Sequence, residues 1–301
     1  MRWPVPKLED RYDRQIRLFG AEGQERLEAL RVAVVGLGGL GSHVAQQLAY
    51  LGVRAFALID HDRVTLTNTN RLVGGDVVDA RARRLKVSVA ARMIERIQPG
   101  AAVSVVSEPF ISEAGFAALH AATLVVGCMD DDASRLVLNE FCQAYERQYL
   151  DVATDVDPGP PVRFGGRVLY SVDGEQCVYC KDLLDPDAIQ SAFSTPGQRK
   201  DAERIYGVPR AVLAGTGPAV VSLNGLLASA AVTEVMAEAT GLRPAVRHLE
   251  YVGRTGVLVA NRDAPRPDCY YCKGLRGAGL SADVERYVRA GWGTHLRSDA
   301  A

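Results

Sequence analysis

The sequence predicts an α/β protein with a Rossmann-like, doubly wound, mostly parallel sheet, extended by a smaller antiparallel region. Three observations carry this expectation. At Arg31-Val-Ala-Val-Val-Gly-Leu-Gly-Gly-Leu-Gly-Ser42 a short apolar run breaks into a glycine turn and leads straight into a helical pattern. Strand-like and helix-like segments then alternate, as in a parallel sheet covered on both faces. From Tyr149 the strands shorten and are broken by Asp, Pro and Gly, and two Cys-x-x-Cys pairs follow, at Cys177/Cys180 and Cys269/Cys272.

In order, residues 1–30 read as a helical N-terminal arm. Residues 31–150 read as a nucleotide-binding half, opening with the strand before Gly36. Gly36 lets the chain turn sharply off that strand, Gly38 and Gly39 leave no Cβ between backbone and phosphate, and Gly41 lets the helix pack close. A second strand, Ala55 to Ile59, ends in Asp60, where a carboxylate can accept hydrogen bonds from ribose hydroxyls. A polar loop follows to about Asp79, whose side chain can cap a long helical run from Ala80 to Ile97, closed by Pro99. That run places Lys86 inside a helix, three residues from Arg83. Val103 to Val106 and Leu124 to Gly127 are further strands, with Asp130 just beyond the carboxyl end of the second, the edge where ligands of open α/β sheets gather.

Residues 151–272 read as a substrate-binding half. Gly165 to Val172 is a strand leading to the first cysteine pair, and Lys181 to Arg210, rich in charge, Ser and Pro, is a candidate mobile loop over the active site. The Gly-, Ala- and Val-rich run Ala211 to Thr240 reads as a buried helix, and strands near His248 to Val252 and Gly256 to Ala260 precede the second pair. The tail, 273–301, matches no pattern.

The chain of 301 residues, 48% hydrophobic, is long enough to bury a substantial core. A formal net charge of -1 gives no footprint for nucleic acid. No window is long and apolar enough to span a bilayer, and the first residues lack a signal-peptide core, so the expected location is cytoplasmic. Six cysteines, four of them in pairs, argue for metal binding in a reducing compartment over a disulfide framework. The pairs supply four thiolates at the spacing that wraps a tetrahedral Zn2+, predicting a closed, structural four-cysteine zinc site; the alternative is buried thiols or a redox pair.

The glycine turn and Asp60 fit NAD, FAD or ATP equally. Arg71 and Lys86 separate them, because a diphosphate is largely satisfied by helix N–H groups, whereas ATP attacked at its α-phosphate needs added cations. Asp130 is placed to hold the Mg2+ that accompanies a triphosphate, although an acidic run before a helix, here Asp130-Asp-Asp132, can equally serve as a cap. His43 reads as a helix-surface residue, and five histidines with no Ser/His/Asp spacing give no support to nucleophilic hydrolysis.

Taken together, Arg11-Tyr-Asp-Arg-Gln-Ile-Arg-Leu-Phe-Gly20, Gly36-Leu-Gly-Gly-Leu-Gly41, Asp60-His-Asp62, Thr67-Asn-Thr-Asn-Arg71, Lys86, Cys128-Met-Asp-Asp-Asp-Ala-Ser-Arg135 and the two cysteine pairs resemble the ThiF/MoeB/HesA/E1 family. These enzymes use ATP to adenylate the C-terminal carboxylate of ubiquitin-like or sulfur-carrier proteins. The resemblance spans roughly 11 to 272. It implies that Arg71 and Lys86 contact phosphate, with Asn68 as partner of Arg71, that Asp130 holds Mg2+ and that Arg135 orients its loop. Asp62, two residues after Asp60, reads either as a support for that carboxylate or as a solvated loop residue. The resemblance further implies that Arg14 reaches the nucleotide site of a neighbouring subunit, so that the working unit is a homodimer.

The sequence also departs from that family. Many members carry a nucleophilic cysteine after the first zinc pair; Lys181 to Thr240 contains none, and the remaining Cys128 and Cys142 read as structural. Leu72 stands where many members have glutamine, and Arg84-Leu-Lys86 where Gly-x-Pro-Lys is common. The expected reaction is therefore adenylyl transfer that stops at the acyl adenylate. Its expected substrate is the C-terminus of a ubiquitin-like or sulfur-carrier protein; the alternatives are a short ribosomal peptide or small acid, or a role as non-catalytic partner subunit.

Overall fold

The computed structural model describes residues 11–194 and 218–295, with side chains as far as 293. The strands are β1 (Arg31–Val35), β2 (Ala55–Ile59), β3 (Ala102–Val106), β4 (Leu124–Gly127), β5 (Gln148–Asp157), β6 (Arg163–Ser171), β7 (His248–Val252) and β8 (Val257–Ala260). They form one sheet in the order β3-β2-β1-β4-β5-β6-β7-β8. The first five are parallel and the last three antiparallel, as expected of the region past Tyr149, but the strands do not shorten there: β5 with 10 residues and β6 with 9 are the longest of the sheet, because they pair with each other along nearly their whole length.

Alternation within each strand divides the core. Val32, Val34, Phe56, Leu58 and Val126 face one layer, built from α2 (Gly39–Leu51), α4 (Lys86–Ile97) and α8 (Val221–Thr240). Ala33, Val35, Ile59 and Val125 face the other, built from α5 (Glu113–Ala121) and α6 (Asp132–Ala144). Near-continuous apolar runs are what strands covered on both faces require. The arm contains α1 (Asp13–Ala29), which packs on α8; Phe19, Gly23, Gln24 and Leu27 are its buried residues. No described helix is long and apolar enough to cross a membrane.

The expected helix from Ala80 to Ile97 is two helices. Asp76, not Asp79, is the cap: its Oδ1 accepts from Asp79 N at 2.8 Å and starts α3 (Val77–Arg81). Arg83 then takes φ 48, and Val64 N donates to Arg84 O at 2.8 Å while Lys86 N donates to Asp62 O at 3.0 Å. Those bonds pull residues 82–85 onto the loop after β2, so Lys86 opens α4 rather than lying within a helix. A left-handed arginine leaves no Gly or Pro to mark the break.

The expected loop from Lys181 to Arg210 begins with a helix, α7 (Pro186–Phe193), capped by Asp185, whose Oδ1 accepts from Asp187 N at 2.9 Å. Residues 195–210, and 211–217 of the expected helix that follows, lie outside the described residues, as do residues 1–10 of the arm. The described part of the tail packs on α6. Leu275 and Val284 are buried there, Tyr287 Oη donates to Glu140 Oε2 at 2.9 Å, and Arg286 pairs with Glu140 at 2.6 Å. A short helix, α9 (Arg286–Arg289), carries the last two contacts.

Candidate nucleotide and metal sites

β1 lies between β2 and β4, so the chain leaves it in opposite directions on its two sides, and a crevice opens beyond the carboxyl ends of these strands. Val35 pairs with Ile59 on one side and Gly127 on the other, which sets the loops starting at Gly36, Asp60 and Cys128 side by side. Gly36 takes φ +85, and a Cβ there would stand 2.7 Å from Cys128 O. A Cβ on Gly41 would stand 1.9 Å from Gly36 O, so the third glycine lets the helix begin against the turn. A Cβ on Gly39 would meet Asn224 Nδ2 at 2.3 Å and the Arg71 side chain at 3.1 Å. Gly38 differs, with nothing within 4 Å of its added Cβ: it faces the open crevice, at the N-cap of α2. The first-turn N–H groups of α2 have no helical partner and present partial positive charge to that space.

Asp60 is buried and fixes this turn. Its Oδ2 accepts from Leu37 N at 2.6 Å and its Oδ1 from Asp62 N at 2.8 Å. Each oxygen keeps a further lone pair for a ribose hydroxyl. Asp62 Oδ2 accepts from Lys86 Nζ at 2.7 Å. Burial alone would push Lys86 down, but the carboxylates of Asp60, Asp62 and Asp130 outweigh it and hold the ammonium above its ordinary value. Burial would likewise raise Asp62, and Lys86 with His61 overturns that and lowers it. One lysine therefore stands among three carboxylates, each from the loop beyond β2 or β4.

Arg71 lies at the rim beside Gly39, its Nη1 donating to Thr67 O at 2.5 Å and Asn70 Oδ1 at 3.2 Å. Asn68 makes no hydrogen bond to the Arg71 guanidinium; its Oδ1 accepts from Thr65 N at 3.0 Å and its carbonyl from Arg71 N at 3.0 Å, which shapes the turn that presents the arginine. The acidic run divides its work. Asp131 caps α6, accepting from Ser134 N at 2.7 Å, and Asp132 Oδ2 accepts from Asp185 N at 2.8 Å. Asp130 is exposed and makes no hydrogen bond or ion pair with the described residues, which leaves it the member open to a cation.

Arg135 holds that loop from below. It donates to Met129 O and pairs with Asp151 at 2.5 Å, both inside the protein; burial would lower it, and Asp151 more than compensates, raising it. Asp151, fully buried, also accepts from Tyr149 Oη at 3.0 Å. This aspartate went unnoticed in the sequence, where the available signal was a carboxylate set among the apolar residues Tyr149, Leu150, Val152 and Ala153. Arg14 is exposed on α1, with no hydrogen bond or ion pair to the glycine turn or the Lys86 cluster. His43 is half-buried rather than on the surface: its ring stands 3.4 Å from a Cβ built on Gly225 of α8, and burial lowers it. Burial pushes the Cys128 thiol up to about 12 and also raises Cys142, so neither is a ready nucleophile.

The other cysteines meet as the paired spacing predicts. Cys177 and Cys269 Sγ lie 3.7 Å apart, Cys180 and Cys272 Sγ 3.8 Å, and all four sulfurs fall within 4.8 Å of one another, buried. Tetrahedral Zn–S bonds of about 2.3 Å require sulfurs about 3.8 Å apart, so the donor set fits that ion. A Cys177–Val-Tyr-Cys180 turn supplies one pair, and a π-helical turn, Tyr270–Leu275, with Cys269 at its N-cap, supplies the other.

A model of the ThiF family matches residues 12–270. Among curated relatives, the molybdopterin-synthase adenylyltransferase of Escherichia coli is 37% identical over 179 residues, covering 58% of this chain and 68% of that protein. The sulfur carrier protein adenylyltransferase of Thermus thermophilus is 33% identical over 181 residues, 60% of each chain. The match to bovine adenylyltransferase and sulfurtransferase MOCS3 covers 87% of this chain and 52% of that one, at 28% identity. The chain thus spans from about two thirds to half the length of these relatives. Among solved structures, E. coli MccB superposes with a TM-score of 0.67 over 89% of this chain and 75% of that one, at 18% identity, a likeness of fold.

Proposed function

The chain belongs to the ThiF family of E1-like adenylyltransferases, and from that premise we propose that it adenylates the C-terminal carboxylate of a ubiquitin-like or sulfur-carrier protein. The observation that carries this reading is the position of Lys86, half-buried among Asp60, Asp62 and Asp130 beyond the glycine turn. In the reaction, a substrate carboxylate oxygen attacks the α-phosphorus of ATP in line, the bond to the bridging oxygen breaks, and pyrophosphate leaves with both electrons. The carboxylate is already ionised near pH 7, so no general base is required. Lys86, Arg71 and the first-turn N–H groups of α2 neutralise charge that grows on the phosphates, and Asp60 and Asp62 fix the ribose end.

Asp130 is the residue that would hold Mg2+, which draws charge off the departing pyrophosphate. Cys177, Cys180, Cys269 and Cys272 would hold a structural Zn2+ that ties the loop after β6 to the segment after β8. Arg14, pointing to solvent in one chain, is assigned to the nucleotide site of a second copy in a homodimer. Reduced, buried thiols accord with a cytoplasmic location.

A second reading, a short peptide as substrate, is favoured by the lack of cysteine between Lys181 and Thr240: the acyl adenylate has no thiol there to receive it. E. coli MccB, whose structures include complexes with ATP and with N-formylated MccA, has the same fold. Pyrophosphate exchange into ATP, assayed with each substrate class in turn, decides between the two: the class that supports exchange is the one adenylated.

A further inference from the structure

The Cβ that Gly39 lacks would meet Asn224 Nδ2 at 2.3 Å, so the residue that opens α2 is small to admit an amide from α8. Asn224 lies in the first turn of α8, and the next residue, Gly225, packs against His43 of α2. The side chain is 3% exposed, yet its carboxamide makes no hydrogen bond with the described residues. Asn139 offers a contrast: both of its amide atoms are sealed in the core without a partner, whereas the Asn224 amide keeps contact with open space. Buried polar groups are nearly always satisfied, so a largely buried amide that is unpaired but still reachable points to a ligand.

The neighbours of the amide define the chemistry of that ligand. Nδ2, the donor end, is turned to Gly39, where the first-turn N–H groups of α2 present partial positive charge. Arg71 meets the same residue, its Cγ and Cδ standing 3.1 and 3.2 Å from the absent Cβ. The buried carboxylate of this turn, Asp60, is taken by the N–H groups of Leu37 and Asp62. Helix end, guanidinium and amide are all donors, and an anion placed among them satisfies the three at once. Gly38, with nothing within 4 Å of its added Cβ, leaves room for one beside them.

We propose that Asn224 binds the phosphate tail of the nucleotide, its Nδ2 donating to a non-bridging oxygen held over the N-terminus of α2 beside Arg71. The proposal rests on the adenylation reading above and deepens it by naming a further phosphate contact, supplied from far along the chain. A neutral donor on a charged oxygen makes one of the stronger hydrogen bonds, and it does so without the flexible stem of a lysine. Asp60 serves the ribose and Asn224 the phosphates, so loss of the amide acts on the tail of ATP and spares the nucleoside.

The test compares wild type with Asn224→Leu, which keeps the shape and removes both polar atoms, and Asn224→Asp, which keeps the shape and adds negative charge. Each is melted without ligand and titrated with ATP and with adenosine in the presence of Mg2+. Asn224→Leu should melt at or above the wild-type temperature, because no hydrogen bond within the protein is lost, and should bind adenosine as wild type does. Its affinity for ATP should fall about tenfold or more, and that of Asn224→Asp further still. Wild-type affinity of Asn224→Leu for ATP, or an equal loss of ATP and adenosine, overturns the proposal; so does a lowered melting temperature with the ratio of the two affinities unchanged, the mark of a merely structural amide. Pyrophosphate exchange by the wild-type protein separates the two claims. Weakened ATP binding in the variants, without exchange on any substrate, keeps the phosphate contact and removes the adenylation reading, whereas exchange with unaltered ATP affinity in Asn224→Leu does the reverse.

Discussion

Lys86 is tied to Asp62 twice, its Nζ donating to Asp62 Oδ2 at 2.7 Å and its backbone N–H to Asp62 O at 3.0 Å. The backbone bond starts α4 at this residue, and the side-chain bond aims the ammonium at the loops beyond β2 and β4. A free lysine would sample many rotamers; this one is held in place by its own loop, the preorganisation that the charge stabilisation proposed for it would need.

The glycines divide into one that faces open space, Gly38, and one that faces protein, Gly41. Gly38→Ala should leave thermal stability near wild type and weaken ATP binding, because its Cβ enters open crevice; Gly41→Ala should lower stability, because its Cβ would stand 1.9 Å from Gly36 O. Melting temperature and nucleotide titration on both variants check this, and the reverse order of effects would refute it.

Asp79 is nearly unexposed and receives Arg92 through two bonds, of 2.8 and 2.5 Å, with Arg84 at 3.2 Å. The Arg92 hydrogen bonds hold its carboxyl below the ordinary value despite burial. A depressed folded-state pKa contributes stability that is present above the unfolded value, about 3.9, and is lost as pH falls through the folded one. Asp79→Asn should therefore cost about 2 kcal/mol at pH 7 in urea unfolding, and the gap from wild type should narrow below about pH 4.

Chelation or Cys269→Ser should remove one Zn2+ per chain and lower the melting temperature, since the two pairs anchor segments that lie 92 residues apart in sequence. Metal analysis of the purified protein checks the stoichiometry; a chain free of zinc when grown with zinc would contradict the assignment.

If Arg14 acts across a dimer, mixing Arg14→Ala with Lys86→Ala restores one complete site in each mixed dimer. Random exchange of subunits should then recover roughly a quarter of wild-type activity from two inactive proteins, by the pairing of sites in a twofold dimer. No recovery, with mixed dimers demonstrated, would place Arg14 outside the site.

Much of this was legible in the sequence because it depends on local, directional requirements. The turn from Gly36 to Gly41 needs residues without Cβ at fixed steps, and β2 and β4 are apolar runs with sharp polar ends at Asp60 and Asp130. The cysteine pairs announce a cluster, though their sequence separation hides where it sits. What escaped was set by contacts between distant segments. The break at Arg83 comes from bonds to Asp62 and Val64, and Asp151 owes its role to Arg135 on another element. The start of α7 was signalled by Asp185-Pro186, a cap followed by proline at the first helical position, within a stretch whose charge and serine content suggested only loop.

The most direct test of the central claim is pyrophosphate exchange into ATP with Mg2+, comparing wild type with Lys86→Ala over candidate ubiquitin-like proteins and short C-terminal acids. The account predicts exchange that requires one of these substrates and falls about a hundredfold or more in the variant, with zinc content unchanged. Wild-type exchange by Lys86→Ala, or failure of the wild-type protein to bind ATP, would contradict it.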